Sequence, residues 1–315
     1  MTVPSTARPA ASAAPAAASG RAAASQLRGT LLMVASTVFF ACSDVVTKEL
    51  AGRLPAMEVT WLRYVTFGLM VIPFALAKDL ARGGGVAVFR SRRPGLQVLR
   101  GFGMAGSAML FTASLPYLPV AEATAIYFVS PILIMALSIP FLGETVGWRR
   151  WSAALVGLSG VLLVIRPGTS AFEAAAVLPL LGASSWAMAA VVTRKMSGRD
   201  PAETTLVYSA LVGIAVLSLI LPFVFVMPGP AEIGFGLAMG VLSTLGHWIV
   251  ILAYRHADAS VIAPFSYVQL LWAGILGYLV FGSVPDAWTV AGAAIIALSG
   301  FYTAYRERVR AAGRA

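Results

Sequence analysis

Charge is scarce in this chain. Asp, Glu, Lys and Arg make up 11% of its 315 residues, against roughly a quarter in water-soluble domains, so an ordinary soluble globule is excluded. Histidine is scarcer still. His247 and His256 stand nine residues apart with no other ligand at metal-site spacing, and neither a metal nor a cofactor is expected. The single cysteine, Cys42, excludes an internal disulfide and reads as a small membrane-helix residue. The acids are scattered and form no acid–base constellation, so no catalytic residue is assigned and an enzyme is not expected. No phosphate-cradling loop for ATP occurs either. What is plentiful is hydrophobicity, at 59%. It comes in runs of about 20 residues, the length that crosses a hydrocarbon layer near 30 Å thick.

Ten such runs can be traced, at 29–50, 57–77, 96–115, 120–142, 149–166, 172–195, 204–227, 231–254, 259–281 and 285–305. They predict an all-α integral membrane protein. A β-barrel is excluded because the runs are too long and lack two-residue alternation. Residues 1–26, rich in Ala, Ser, Pro and Thr, contain no apolar core before a cleavage site and are expected to be a disordered tail. Residues 306–315 read as a basic tail. The net charge of +10 sits mainly in short connections, which argues against nucleic acid as a partner. If the N-terminus is cytoplasmic, the cytoplasmic tails and loops hold 19 of the 23 basic residues. Lys48, Arg53, Arg63 and Arg166 are left outside. That bias predicts two cytoplasmic termini.

One short phrase occurs twice. Val45–Val46–Thr47–Lys48 closes the first run, and Val191–Val192–Thr193–Arg194 closes the sixth, 146 residues later. Ala121–Glu122–Ala123–Thr124 resembles Ala257–Asp258–Ala259–Ser260, and Trp148 and Gly160 match Trp288 and Gly300. These matches predict a five-helix unit at 27–168 repeated at 169–305. Five is odd, so the second copy would enter the membrane in the opposite sense, as in carriers that alternate access between two faces. An undivided ten-helix bundle with accidental similarity is the other reading.

The stretch PYLPVAEATAIYFVSPILIMALSIPFLGETVGWRRWSAALVGLSGVLLVIRPG, residues 116–168, carries a family resemblance. Its Ala/Glu-rich helix start, Pro131, the Leu–Gly–Glu ending at Glu144 and the closing Arg–Pro–Gly resemble the ten-helix EamA-type members of the drug/metabolite transporter superfamily. The second half departs at YLVFGSV, which has no carboxylate. The resemblance implies a central cavity lined by spans 1, 3, 4, 6, 8 and 9, with spans 5 and 10 farther out. Within the family the chain is similar to bacterial amino acid exporters, aromatic ones included. The expectation is a secondary transporter of small neutral or zwitterionic metabolites in a bacterial inner membrane, its partners being the substrate and lipid. An uptake carrier for riboflavin, S-adenosylmethionine or a similar metabolite is the alternative. A channel and a lipid-modifying enzyme are outside alternatives. The chain would be a monomer or a weak homodimer.

Candidate site residues are the polar and aromatic groups inside the runs. Asp44 is the deepest acid. It is a candidate for proton coupling or for gripping an ammonium, and a structural pair with Lys48 four residues on is the plainer reading. Phe40, Tyr127, Ser130, Trp186, Thr244, His247, Trp248, Tyr267 and Gln269 complete the cavity set, although aromatics also favour bilayer interfaces. Gln269 needs a polar neighbour or water. Arg63 reads as a gate or as a side chain snorkelling to the outer surface. Pro131 and Pro264 read as helix kinks that are either functional or packing bends. Glu122 and Asp258 suit the N-termini of their helices. Gly157–Gly160, Gly236–Gly240 and Gly274–Gly277 predict narrow packing faces.

Overall fold

In lipid the backbone must satisfy its own hydrogen bonds, and the apolar runs do so by coiling. A computed structural model describes residues 14–143, 148–166, 173–196, 199–256 and 263–312. Eleven helices appear among them: α1 (Ala14–Ala51), α2 (Ala56–Ala81), α3 (Pro94–Ser114), α4 (Val120–Tyr127), α5 (Ser130–Leu142), α6 (Trp148–Ile165), α7 (Val177–Met196), α8 (Ala202–Ile220), α9 (Pro230–His256), α10 (Val268–Phe281) and α11 (Ala287–Ala312). Six stretches are long and apolar enough to cross a membrane: Ser25–Ala51, Ala56–Ala81, Val120–Leu142, Ala174–Met196, Ala202–Phe223 and Pro230–Ala253. Leu155–Ile165, Phe265–Phe281 and Ala287–Tyr302 are shorter apolar helices. The chain is therefore an all-helical, multi-pass membrane protein. Glu144, Pro167 and the Ala257–Asp258–Ala259–Ser260 stretch lie outside the described residues.

Residues 14–26, within the expected tail, are helical and belong to α1, because the Ala-rich stretch before Leu27 has high helix propensity and continues the helix that follows it. The basic end behaves alike, with α11 continuing to Ala312.

The predicted span 120–142 is broken in two. Pro131 has no N–H to offer the preceding turn, so α4 stops at Tyr127 and α5 restarts at Ser130. Pro131 thus occupies a first turn, where a missing donor costs nothing. Pro264 has a comparable place, in a 3-10 turn at Ala263–Tyr267 directly before α10. The two restarted helices also end alike. Gly143 after α5 and Gly282 after α10 take φ of +69° and +66°, and their N–H groups return to the carbonyls of Ile139 and Tyr278. Only glycine takes that left-handed conformation without strain.

Packing follows an exchange pattern. Helix α1 lies along α9, and α3 lies along α7. Helix α2 packs on α9 as α3 packs on α8, and α1 meets α10 as α7 meets α5. The pairs α2–α8, α6–α11 and α4–α10 join helices of equal rank in the two sets. Swapping the first set for the second therefore maps the main contacts onto one another, which is pseudo-symmetry. Two anchors fix the ends. Lys48, near the end of α1, donates to the carbonyl of Leu118 just beyond α3. Thr193, near the end of α7, accepts from Arg100 near the start of α3. The closing ends of α1 and α7 thus lie at opposite ends of α3, about 20 Å apart at 1.5 Å per residue.

Small residues bring the helices close. The α-carbons of Gly160 and Gly292 face across α6 and α11, where a Cβ at either would come within 2.7 Å of the other's carbonyl oxygen. Gly236 and Gly240 of α9 receive Leu62 and Thr66 of α2, as the sequence face predicted. Gly157 likewise faces Ile132 and Ser299, whereas Gly277 borders open space. A buried apolar cluster around Leu115, Leu118, Ile126, Val164 and Ile296 seats α4 between α3, α6 and α11. Leu155, Leu162, Leu279 and Leu298 point outward, as suits a surface bathed in lipid.

Candidate functional site

Phe40, Asp44 and Thr47 share one face of α1, spaced by four and then three residues. Asp44 is buried and accepts a hydrogen bond from Gln269 Nε2 at 2.9 Å. That bond crosses from the first half of the chain to the second and gives Gln269 the polar neighbour it needed. Lys48 does not pair with Asp44. Its ammonium turns to the Leu118 carbonyl at 2.6 Å and lies 5.5 Å from the centre of the Phe281 ring.

Arg63, on α2, points inward rather than snorkelling. Its Nη2 donates to Thr47 Oγ1 at 2.5 Å, and Thr47 passes its own proton to the Ser43 carbonyl. Its Nε is buried without a partner. Asp44 lies one helical turn from Thr47, and the two charges interact electrostatically. Among the described residues no carboxylate approaches Arg63 within ion-pair distance. The result is a buried cation and a buried anion, neighbouring and unjoined.

Aromatic groups surround this pair. Phe40 meets the His247 ring edge-on at 4.9 Å. His247 Nδ1 lies 2.8 Å from the Ser243 carbonyl. Because a carbonyl only accepts, the proton sits on Nδ1 and the lone pair on Nε2. Tyr127 holds Ser107 of α3 through its hydroxyl at 2.8 Å and packs edge-on against Phe111 at 5.4 Å. Trp186 occupies in α7 the position of Phe40 in α1, is half-buried, and has no hydrogen bond or ring contact among the described residues.

Other candidates sit elsewhere. Trp248 is 42% exposed and stacks edge-on with Phe74 on the outer surface. Its neighbour His247 points inward because successive helix positions differ by 100°. Tyr267 is wedged between α4 and α11, against Phe128 at 5.0 Å and Phe301 at 6.5 Å, over Gly300. Thr244 spends its hydroxyl on the Gly240 carbonyl one turn back. Ser130 is buried in the first turn of α5, and Pro131 beside it is exposed. Glu122 reaches across to Thr289 of α11 at 3.5 Å.

Sequence reasoning missed three residues. Thr47 looked like part of an apolar phrase, yet it orients Arg63. Trp272, one turn beyond Gln269, buries an indole N–H with no partner. Arg100 counted only as a cytoplasmic loop charge, but it lies inside the helical bundle. Its Nε donates to Thr193 at 2.7 Å and its Nη1 to Ser209. Repetition of the threonine phrase was the one signal that marked both Thr47 and Thr193.

The sequence profile of the EamA-like transporter family matches residues 27–166 and again residues 174–305. The chain belongs to this family. An S-adenosylmethionine uptake transporter of Rickettsia prowazekii is 27% identical, over 90% of this chain and 94% of that protein. A riboflavin transporter of Vibrio cholerae is 30% identical, over 87% and 91%. A pseudopaline exporter of Pseudomonas aeruginosa is 30% identical, over 86% and 94%. A solved crystal structure superposes with a TM-score of 0.61 at 24% identity, covering 88% of this chain and 96% of that one, and shows a shared fold. This EamA-like protein is thus placed among transporters rather than enzymes. No group of three or more His, Cys, Asp or Glu among its described residues is arranged to hold a metal ion.

Proposed function

We propose that this EamA-like protein is a secondary carrier for a small zwitterionic metabolite, with S-adenosylmethionine-type uptake as its specific role. One observation carries the reading: Arg63, which bonds Thr47 and keeps a buried Nε without a partner, neighbours buried Asp44 one turn along α1, whose carboxylate accepts from the neutral amide of Gln269. An unpaired donor and an unpaired charge in a low-dielectric interior are each costly. A solute carrying a carboxylate and a cation would relieve both at once. The carboxylate faces Arg63, the cation faces Asp44, and a flat heteroaromatic group packs among Phe40, Tyr127 and Trp186. S-adenosylmethionine has all three features. Riboflavin has the flat ring without the zwitterion, so it would leave Asp44 unpaired.

Amino acid export, the first expectation, is set aside in favour of uptake. None of the relatives described above exports a proteinogenic amino acid, and an S-adenosylmethionine uptake transporter matches over 90% of this chain and 94% of its own. The carrier works by alternating access with ten spans in two oppositely inserted sets of five, and both termini face the cytoplasm of a bacterial cell. The double family match, the exchange pattern of helix contacts and the opposed ends of α1 and α7 support that plan.

Reconstitution into liposomes with radiolabelled S-adenosylmethionine, with and without an imposed proton gradient, tests the proposal. Saturable flux that excess riboflavin leaves intact is expected, and Asp44→Asn raises its KM. Vigorous flux of riboflavin or of tryptophan, with none of S-adenosylmethionine, would overturn the substrate assignment.

A further inference from the structure

Arg63 and Arg100 serve the two copies of one phrase in different ways. Arg63 holds Thr47, and Arg100 holds Thr193. The 146-residue offset that pairs those threonines also pairs Arg63 with Ser209. The second copy thus has a serine where the first has its guanidinium, and Arg100 of α3 reaches in to supply the missing charge. It bonds Ser209 itself, the Thr205 carbonyl at 3.4 Å and Thr193 at 2.7 Å.

This substitution changes what the bonds join. Arg63 links α1 to α2, within one half. Arg100 links α3 of the first half to α7 and α8 of the second. Gln97, one turn earlier, adds bonds to Asp200 at 2.9 Å and Thr205 at 3.1 Å, and Ser91 and the Arg92 amide also bind Asp200. Among the described residues the hydrogen-bond partners of the Arg100 side chain are hydroxyls and a carbonyl, with no carboxylate in ion-pair range. Such bonds hold a guanidinium in a bilayer, where leaving it bare is costly, but they break more readily than a buried ion pair.

We propose that Arg100 is a releasable lock across the two halves at the mouth where α3 begins. With its bonds made, α3 and α7 stay closed there; opening that mouth breaks the bonds to Thr193 and Ser209. Arg63 has no such role and is left free for the substrate. The inference rests on the carrier reading, since only a protein that opens at alternate ends has use for such a lock.

The test needs no substrate. In a Cys42→Ala background, nitroxide labels at Leu99→Cys and Lys195→Cys report α3–α7 separation at this mouth, and labels at Tyr117→Cys and Val177→Cys report it at the other. All four side chains are exposed. Arg100→Met is expected to move the first distance distribution to longer values and leave the second unchanged or shorter. Thr193→Val should do the same to a smaller extent, Arg100→Lys should partly restore closure, and Arg63→Met should leave the first distance alone. An unchanged first distance in Arg100→Met, or equal lengthening at both ends, overturns the lock. Should Arg100→Met fail to fold, Thr193→Val and Ser209→Ala carry the test with the same two outcomes. Absent flux together with a lengthened first distance would count against the substrate class and leave the lock standing.

Discussion

Asp44→Asn keeps an oxygen for Gln269 to bond and removes only the charge. If the carboxylate grips a cation, affinity falls by about 2 kcal/mol, the range of a charge-assisted hydrogen bond, which is roughly thirtyfold in KM. Liposome uptake measured across substrate concentration checks this; an unchanged KM would detach Asp44 from the substrate. His247 and Trp248 offer a sharper contrast, being adjacent in sequence and opposite in orientation. His247→Ala should impair uptake, while Trp248→Ala, on the lipid side with Phe74, should leave the kinetics unaltered. At this scale the sequence was legible where a lone charge stood in an apolar run, as with Asp44 and Arg63. It was silent where meaning came from a partner on another helix. Nothing near Arg100 in the sequence announces Thr193, and nothing near Asp44 announces Gln269, 225 positions away.

Helices and their connections obey a different logic, in which absence of a side chain matters most. Gly160→Leu would push a side chain into the Gly292 carbonyl and separate α6 from α11. Overpacking of this kind commonly costs 1–3 kcal/mol, and the expected result is a lower melting temperature in detergent. Gly277→Ala, bordering open space, should leave that temperature unchanged. The connection before α11 adds a dependence on pH. The Thr289 backbone N–H and the nearby Arg166 guanidinium hold the Asp286 carboxyl below its usual range. A depressed folded value means the stabilisation is full above the unfolded value near 4 and fades as pH falls through the folded one. Asp286→Asn should therefore flatten the loss of thermal stability on acidification below about pH 4. Helix breaks were readable from Pro131 and Pro264, since a missing donor acts locally. The start of α1 at Ala14 was not, because composition suggested a solvated tail while Ala-rich propensity continued the helix.

For the molecule as a whole, the arrangement predicts where its ends lie. Single cysteines placed at each terminus, with Cys42 replaced by alanine, should resist a membrane-impermeant maleimide in intact cells and react after permeabilisation. Reaction of one end alone in intact cells would require an odd number of crossings and dismantle the paired-set plan. The global fold was the most legible level of all. Long apolar runs dictate helices through a physical demand of lipid that admits few exceptions, and in both copies of the Val–Val–Thr phrase the threonine meets a guanidinium. The chemistry of the interior was less legible, since the two sets of helices are no longer chemically equal.

That inequality bears on how such a machine rests. With Arg100 joining one half to the other at Thr193 and Ser209, and Arg63 joining two helices of one half at Thr47, the protein is fastened at one doorway by bonds that the other copy of the phrase does not reproduce. Its idle population should then lean toward one orientation, so half-saturation measured from the two sides of the membrane would differ. Thermodynamics forbids this lean from choosing the direction of net flow, which belongs to the gradient alone. It settles instead which compartment the empty binding site waits to sample.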